Sequence, residues 1–275
     1  MDVKFLYWNI NNRAASFVYE IKKLIKDTDI LLLVENNNIN DNTIERELGL
    51  IKIQYRTLFD ETVYTPKFYT RYKNSELEHV GVASSKRLVF ASLKFPDTDE
   101  ILIGGIHFPS KHNYSDLPQL EIARNYIQEI EEFETIKNNR RTLLFGDFNM
   151  NPFEPGMTEF SAFNATLSAF EAKKISKKFH YKEYNYFYNP MWSFLGDRNY
   201  QTGERKLPGS YYHINSPYWN IFDKVIMRPD IIDIFDFSSI EIIDSLGVEK
   251  LVDDNFIIKR NTYSDHLPLR FKINL

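Results

Sequence analysis

Short apolar runs alternate with amphipathic stretches along this chain, and polar residues stand where the runs stop. Residues 3–10 are dense in aromatic and branched side chains and predict a strand that ends among Asn9 and Asn11. Ala14, Phe17, Val18, Ile21, Leu24 and Ile25 then recur at helical spacing. Residues 29–34 read as a continuous apolar strand covered on both faces, with Glu35 at its end. Further strands are expected at 79–84, 88–94 and 101–106, the last delivering His107. Ser115-Asp116 ahead of Pro118 reads as a helix start, and Ile122, Tyr126, Ile127 and Ile130 carry an apolar stripe to about residue 137. Residues 142–145 form the next strand and 157–172 a second helix. The stretch 173–220 reads as irregular, aromatic and rich in turn residues, and strand character returns at 222–227, 231–237 and 269–273. Strand-helix-strand order predicts a layered α/β fold. With no repeat of fixed period, no low-complexity tract and no linker, residues 1–275 are expected to form a single domain.

The strand ends share one chemistry. Asn9, Glu35, His107, Asp147 with Asn149, Asp223, and Asp265 with His266 all sit at or beside strand-like segments. If those ends converge, they build one acidic, histidine-containing pocket. Gly146-Asp147-Phe148-Asn149 and Ser264-Asp265-His266 are the most informative clusters, because carboxylate, amide and imidazole bind a hard cation and activate water beside a phosphate. The bland alternative is turn chemistry, which Asp-x-Asn also suits. Asp223 likewise has the alternative of a surface acid.

Composition narrows the classes. Hydrophobic residues at 43% and charged residues at 26% are ordinary for a soluble globular protein. The absence of cysteine excludes disulfides and thiolate chemistry and fits a reducing compartment. No signal-peptide pattern and no run of about 18 apolar residues occur, so a cytoplasmic protein without a membrane partner is expected. No protein partner is inferable. A formal net charge of −4 advertises no global basic face for duplex DNA.

Together the motifs resemble the endonuclease/exonuclease/phosphatase family, which includes deoxyribonuclease I. The matching elements are Trp8-Asn9-Ile10-Asn11, Val34-Glu35, Gly105-Ile106-His107, Gly146-Asp147-Phe148-Asn149, Phe222-Asp223-Lys224-Val225-Ile226 and Ser264-Asp265-His266-Leu267-Pro268. They occur in family order across residues 8–268. The resemblance implies a four-layer α/β sandwich, two mixed β-sheets packed face to face and flanked by helices, with the site at one end. It also implies cleavage of phosphate esters with a divalent cation, usually magnesium, with manganese as the alternative. Glu35 would then be the principal metal ligand, assisted by Asp265 and Asn9. Asp147 would orient and deprotonate the attacking water, and Asn149 would hold the phosphate or the nucleophile. His266 would meet a non-bridging phosphate oxygen, with Asp223 fixing its tautomer. His107 would be a second imidazole on the phosphate or leaving-group side, as in the deoxyribonuclease I-like branch; exonuclease III-like enzymes tend to have tyrosine there.

The family core does not choose the substrate. Lys173, Lys174, Lys177, Lys178 and Lys182 are interleaved with Phe179, Tyr181, Tyr184, Tyr186, Phe187 and Tyr188, a pattern that tracks phosphates and stacks bases or simply forms a solvated loop. Lys111 adds positive charge near the expected site, and residues 188–196 and 209–219 are the expected substrate loops. The inositol-phosphatase element Pro-x-Trp-Cys-Asp-Arg-[Ile/Val]-Leu is absent. The reading is therefore a magnesium-dependent nuclease, endo- or exonucleolytic, acting on DNA or RNA. The alternatives are an enzyme acting on a small phosphate ester and an inactive binding module.

Overall fold

The computed structural model describes residues 1–49, 56–57, 66–197, 206–215 and 217–275. In chain order it lays down β1 (Asp2–Asn9), α1 (Val18–Leu24), β2 (Ile30–Val34), α2 (Asp41–Gly49), the two-residue β3 (Arg56–Thr57) and β4 (Lys67–Thr70). Next come β5 (Leu77–Val82), β6 (Leu88–Leu93), β7 (Ile101–His107), α3 (Asp116–Ile136) and β8 (Thr142–Asp147). The short α4 (Pro155–Thr158), β9 (Ala165–Thr166) and α5 (Ala169–Ala172) precede a hairpin of β10 (Ser176–Phe179) and β11 (Lys182–Asn185). The chain then forms β12 (Phe187–Tyr188), β13 (Tyr211–Tyr212), β14 (Trp219–Asn220) and β15 (Asp223–Met227). It finishes with β16 (Phe235–Ile242), β17 (Ser245–Leu246), β18 (Glu249–Lys250) and β19 (Leu269–Asn274).

Two mixed sheets result, in the orders β16-β19-β1-β2-β4-β3 and β5-β6-β7-β8-β15-β12-β9. Strand periodicity explains how they pack. Val3, Phe5 and Tyr7 of β1 face Phe145, Val225 and Ile103 of the second sheet in one buried core, where the Phe5 and Phe145 rings meet edge to face at 5.5 Å. Leu6 and Trp8, on the opposite face of β1, pack under Val18, Ile21 and Leu24 of α1. Phe90, Leu102 and Leu144 do the same under Ala123, Tyr126 and Ile130 of α3. The layers are helix, sheet, sheet, helix, as the resemblance implies.

The first sheet packs closely on Gly105, where an added Cβ would stand 2.9 Å from the Leu32 side chain. Gly146 is required by its backbone: at φ +142° a side chain there would run into the Ile106 carbonyl oxygen.

Three expected elements differ. The helix expected at 157–172 is α4 and α5 with β9 between them, because Phe163 and Ala165 turn inward under the second sheet. The strand expected at 231–237 begins only at Phe235; Pro229 opens a 3-10 turn that buries Ile231 and Ile232. Within the stretch expected to be irregular stands the regular β10–β11 hairpin, while its residues 198–205 and 216 lie outside the described residues.

Candidate active site

Strand register brings the polar ends together. His107 at the end of β7 is the cross-strand partner of Asp147 at the end of β8, and Asp147 in turn pairs with Asp223 at the start of β15. On the other sheet Asn9 closes β1 opposite Val34, so Glu35 emerges one residue beyond it. Period-two alternation then points Tyr7 and Asn9 inward, toward the second sheet.

Asn9 links the sheets. Its Nδ2 donates to Glu35 Oε1 and to Asp147 Oδ2, each at 3.2 Å. Its Oδ1 accepts the Asn11 backbone N–H at 3.0 Å, and Asn11 Nδ2 donates to Asp265 Oδ1 at 2.9 Å. Asn11 thus ties Asp265 to the strand end that carries Asn9. Glu35 stands at φ +51°, a left-handed conformation that non-glycine residues adopt at a cost of about 1–3 kcal/mol. Burial alone would raise the Glu35 pKa, but the His107 hydrogen bond and charge, with His266 and Asn9, bring it down to about 2. Glu35 is therefore a carboxylate at any working pH.

Asp147 is buried and held on both oxygens. Oδ1 accepts the Asn149 backbone N–H at 2.8 Å, and Oδ2 accepts Asn149 Nδ2 at 3.0 Å. Burial pushes its pKa up, the His266 charge pulls it down and Asp223 pushes it up again; the net shift is upward. A raised carboxylate is a stronger base, which suits proton abstraction. Asn149 also donates to the Phe108 carbonyl at 2.8 Å, so both hydrogens of its amide are engaged. Only its Oδ1 is left for substrate, and an acceptor meets a water rather than a phosphate oxygen.

His266 Nδ1 lies 3.0 Å from both oxygens of Asp223. Its Nε2 points toward Asp147, 3.9 Å from Oδ2. Burial would lower the imidazole, but Asp223 and Asp147 together raise it to about 10. The loop that carries it is pinned: the His266 N–H donates to Ser264 Oγ, and Ser264 Oγ donates to the Asn9 carbonyl at 2.6 Å.

His107 is placed against Glu35, Nε2 to Oε1 at 3.4 Å, rather than free on a leaving-group side. Its Nδ1 is buried without a hydrogen-bond partner among the described residues. Lys111 lines a cavity of about 520 Å³ with Asn149, Tyr211, Asn220 and Phe222, but its Nζ is paired with Asp116 at 2.5 Å and Glu154 at 2.6 Å. Of the expected substrate loops, 209–219 supplies Tyr211, His213 and Pro217 to that cavity, whereas Trp192 from 188–196 packs on Phe153.

Two sets of groups offer metal ligands. Asp147, Asp223 and His266 each present a donor atom within 4.8 Å of the others. Asp223 and His266 already satisfy one another, however, which leaves that set poorly disposed toward a cation. Glu35 and Asp265 are hard oxygen donors of the kind magnesium or manganese takes, while Asn9 as placed turns its Nδ2 to Glu35 and its Oδ1 to the Asn11 N–H.

Two residues escaped sequence reading. Tyr7 is wholly buried and donates to Asp223 Oδ1 at 2.8 Å. Lys224 is fully buried; its Nζ donates to the carbonyl of Met150, just past Asn149, and to that of Phe222, just before Asp223, at 3.3 Å. The signals were present in the chain. Tyr7 is two residues from Asn9 on the same strand face, and Lys224 is a lone charge inside an apolar strand.

The sequence profile described as the Endonuclease/Exonuclease/phosphatase family matches residues 6–266. A search of curated protein sequences returns no match. Among solved structures the chain is similar to D. rerio TDP2 complexed with single strand DNA product, at 13% identity and a TM-score of 0.55, covering 100% of this chain and 99% of that one. It is similar to the human Nocturnin catalytic domain with bound sulfate anion, at 11% identity and a TM-score of 0.57, covering 98% and 93%. An AP endonuclease from Archaeoglobus fulgidus is similar at 14% identity and a TM-score of 0.53, covering 99% and 100%. At these identities the likeness establishes the fold.

Proposed function

Because this chain belongs to the endonuclease/exonuclease/phosphatase family, whose members are phosphoesterases, we propose that it is a divalent-metal-dependent nuclease hydrolysing phosphodiester bonds in DNA or RNA. The observation that carries the reading is Asn9 Nδ2 bridging Glu35 and Asp147, which sets a metal-type carboxylate beside a base-type carboxylate.

Glu35 with Asp265 would hold a magnesium or manganese ion, with Asn9 beside them, and the ion would supply Lewis-acid charge to the phosphate. Asp147, its pKa raised, takes the proton of the attacking water, and Asn149 Oδ1 accepts that water's second hydrogen. His266, cationic up to about pH 10, places Nε2–H on a non-bridging oxygen where negative charge develops. Asp223 holds Nδ1 and fixes the ring. His107 acts on the phosphate side through Glu35, whose carboxylate it stabilises.

Support for a nucleic-acid substrate comes from the cavity beside Asn149. Its wall stacks Tyr211 on Phe222 at 5.1 Å and 21°, a planar surface suited to a sugar or base, and Lys111, paired with Asp116 and Glu154, also lines it. TDP2, similar in fold, is described with single strand DNA product. No membrane partner is proposed: among the described residues no helix is long and apolar enough to cross a membrane.

The test is direct. Purified protein with magnesium is incubated with supercoiled plasmid, single-stranded DNA and RNA, with and without EDTA. Cleavage that EDTA abolishes supports the reading. Release of phosphate from small esters with no cleavage of any nucleic acid overturns it.

A further inference from the structure

The β10–β11 hairpin stands outside both large sheets. It closes at the Phe179–Lys182 pair around a two-residue turn, with His180 at φ +52°. A lone two-stranded hairpin is marginal in water, so this one needs an anchor. Phe160 provides it, packing on Phe179 at 4.5 Å and on Tyr184 at 4.9 Å. Asn185 adds a hydrogen bond to Glu131 on α3 at 2.9 Å. Arg140, just before the start of β8, also donates to Asn185 Oδ1 at 3.5 Å, so the hairpin base is fixed toward the end of the second sheet opposite Asp147.

What the hairpin presents is unusual for a surface. The Tyr181 side chain at its tip is 101% exposed, and Phe170 beside its base is 81% exposed. Large aromatics left in water gain nothing from folding, and clustered ones mark contact surfaces. Residues 170–185 also carry five lysines against two glutamates, in a chain whose formal net charge is −4. Lys173 and Lys174 are paired with Asp233 and Glu171. Lys177, Lys178 and Lys182 make no ion pair among the described residues, and Lys182 lies over the Tyr184 ring at 5.1 Å. The charge is therefore local, in excess of the two nearby glutamates and interleaved with rings, complementary to a flexible polyanion that has planar faces.

We propose that this hairpin binds single-stranded nucleic acid at a surface separate from the candidate active site, with Lys177, Lys178 and Lys182 on phosphates and Tyr181 stacked on a base. The assignment rests on the nuclease reading and adds a second contact surface to it. Single strands fit better than duplex, because an exposed ring at a hairpin tip needs an unpaired base to stack on.

The experiment compares wild type, K177Q/K178Q/K182Q and Y181A, by fluorescence anisotropy on a labelled 20-nucleotide single strand and its duplex in EDTA, across a salt series. Turnover of bis(p-nitrophenyl) phosphate with magnesium serves as the control. Neutralising three phosphate contacts lowers the slope of log affinity against log salt by about 2. Y181A weakens single-strand binding by about tenfold and leaves duplex binding unchanged. Turnover of the small ester stays at the wild-type value in both variants. Wild-type slope and affinity in the triple variant, in a protein that does cleave nucleic acid, overturn the hairpin and spare the nuclease reading. Hairpin-dependent sedimentation with phosphatidylserine vesicles, with oligonucleotide binding unchanged in the variants, also overturns it. A wild type that hydrolyses the small ester but cleaves no nucleic acid overturns the nuclease reading itself.

Discussion

Tyr7 donates its phenol hydrogen to Asp223 Oδ1 at 2.8 Å, on the same carboxylate that lies 3.0 Å from His266 Nδ1. Burial, with Asp223 beside it, holds this phenol well above its ordinary pKa, so it remains a donor. Tyr7→Phe keeps the ring and removes the donor. A hydrogen bond to a charged group is worth about 1.5–3 kcal/mol, so kcat should fall about tenfold or more with KM little changed. Steady-state kinetics on a phosphodiester decide the point; wild-type kcat in this variant would show that the phenol does not position the Asp223–His266 pair.

Lys224 clamps the loop after Asn149 to the residue before Asp223, and burial lowers its pKa from 10.5 to about 7. Between those values the unfolded chain carries the proton and the folded chain does not, so this residue makes stability rise with pH. Below about pH 7 both states hold the proton and the cost of the buried charge is constant. Lys224→Met removes that cost, so the Tm of the variant minus that of wild type should be greatest below pH 7 and shrink toward pH 10. Its kcat should fall, because the two loops lose their shared donor. A Tm difference that stays flat across this range contradicts the assignment.

Gly146 precedes Asp147 at φ +142°, where a side chain meets the Ile106 carbonyl. Gly146→Ala should cost about 1–3 kcal/mol of stability and shift Asp147 relative to Asn9. Urea unfolding measures the first effect and turnover the second. An alanine variant as stable as wild type would remove the backbone explanation for this glycine.

Much of this was legible in the chain because strands impose a period of two. The polar residue that follows each apolar run is a strand end, and parallel β1–β2 and β7–β8 bring such ends to one edge of the sandwich. Asn9, Glu35, His107 and Asp147 could be gathered that way. What pattern reading missed depended on partners distant in sequence. Tyr7 looks like another core aromatic until Asp223, 216 residues away, accepts its hydroxyl. The amide of Asn149 looks available for phosphate until the Phe108 carbonyl takes one of its hydrogens. The helix expected at 157–172 failed because residues 159–164 turn inward to bury Phe163, a packing choice with no periodic signal.

Glu35 offers an ionised carboxylate with its pKa near 2. Magnesium should therefore raise the Tm of wild type, since a ligand that binds only the folded state stabilises it. Glu35→Gln should abolish most of that rise and increase the magnesium needed for half-maximal turnover by about tenfold or more. Thermal melts and a magnesium titration of activity check both statements; an unchanged magnesium requirement would place the ion elsewhere.

Asp147→Asn is the most direct measurement of all, made on plasmid and single-stranded substrates with magnesium and with EDTA. Removing the base while keeping the side-chain shape should reduce metal-dependent cleavage by about 10²–10⁴-fold, with Tm close to wild type. Wild-type cleavage by that folded variant would contradict the assignment of Asp147 as the group that activates water.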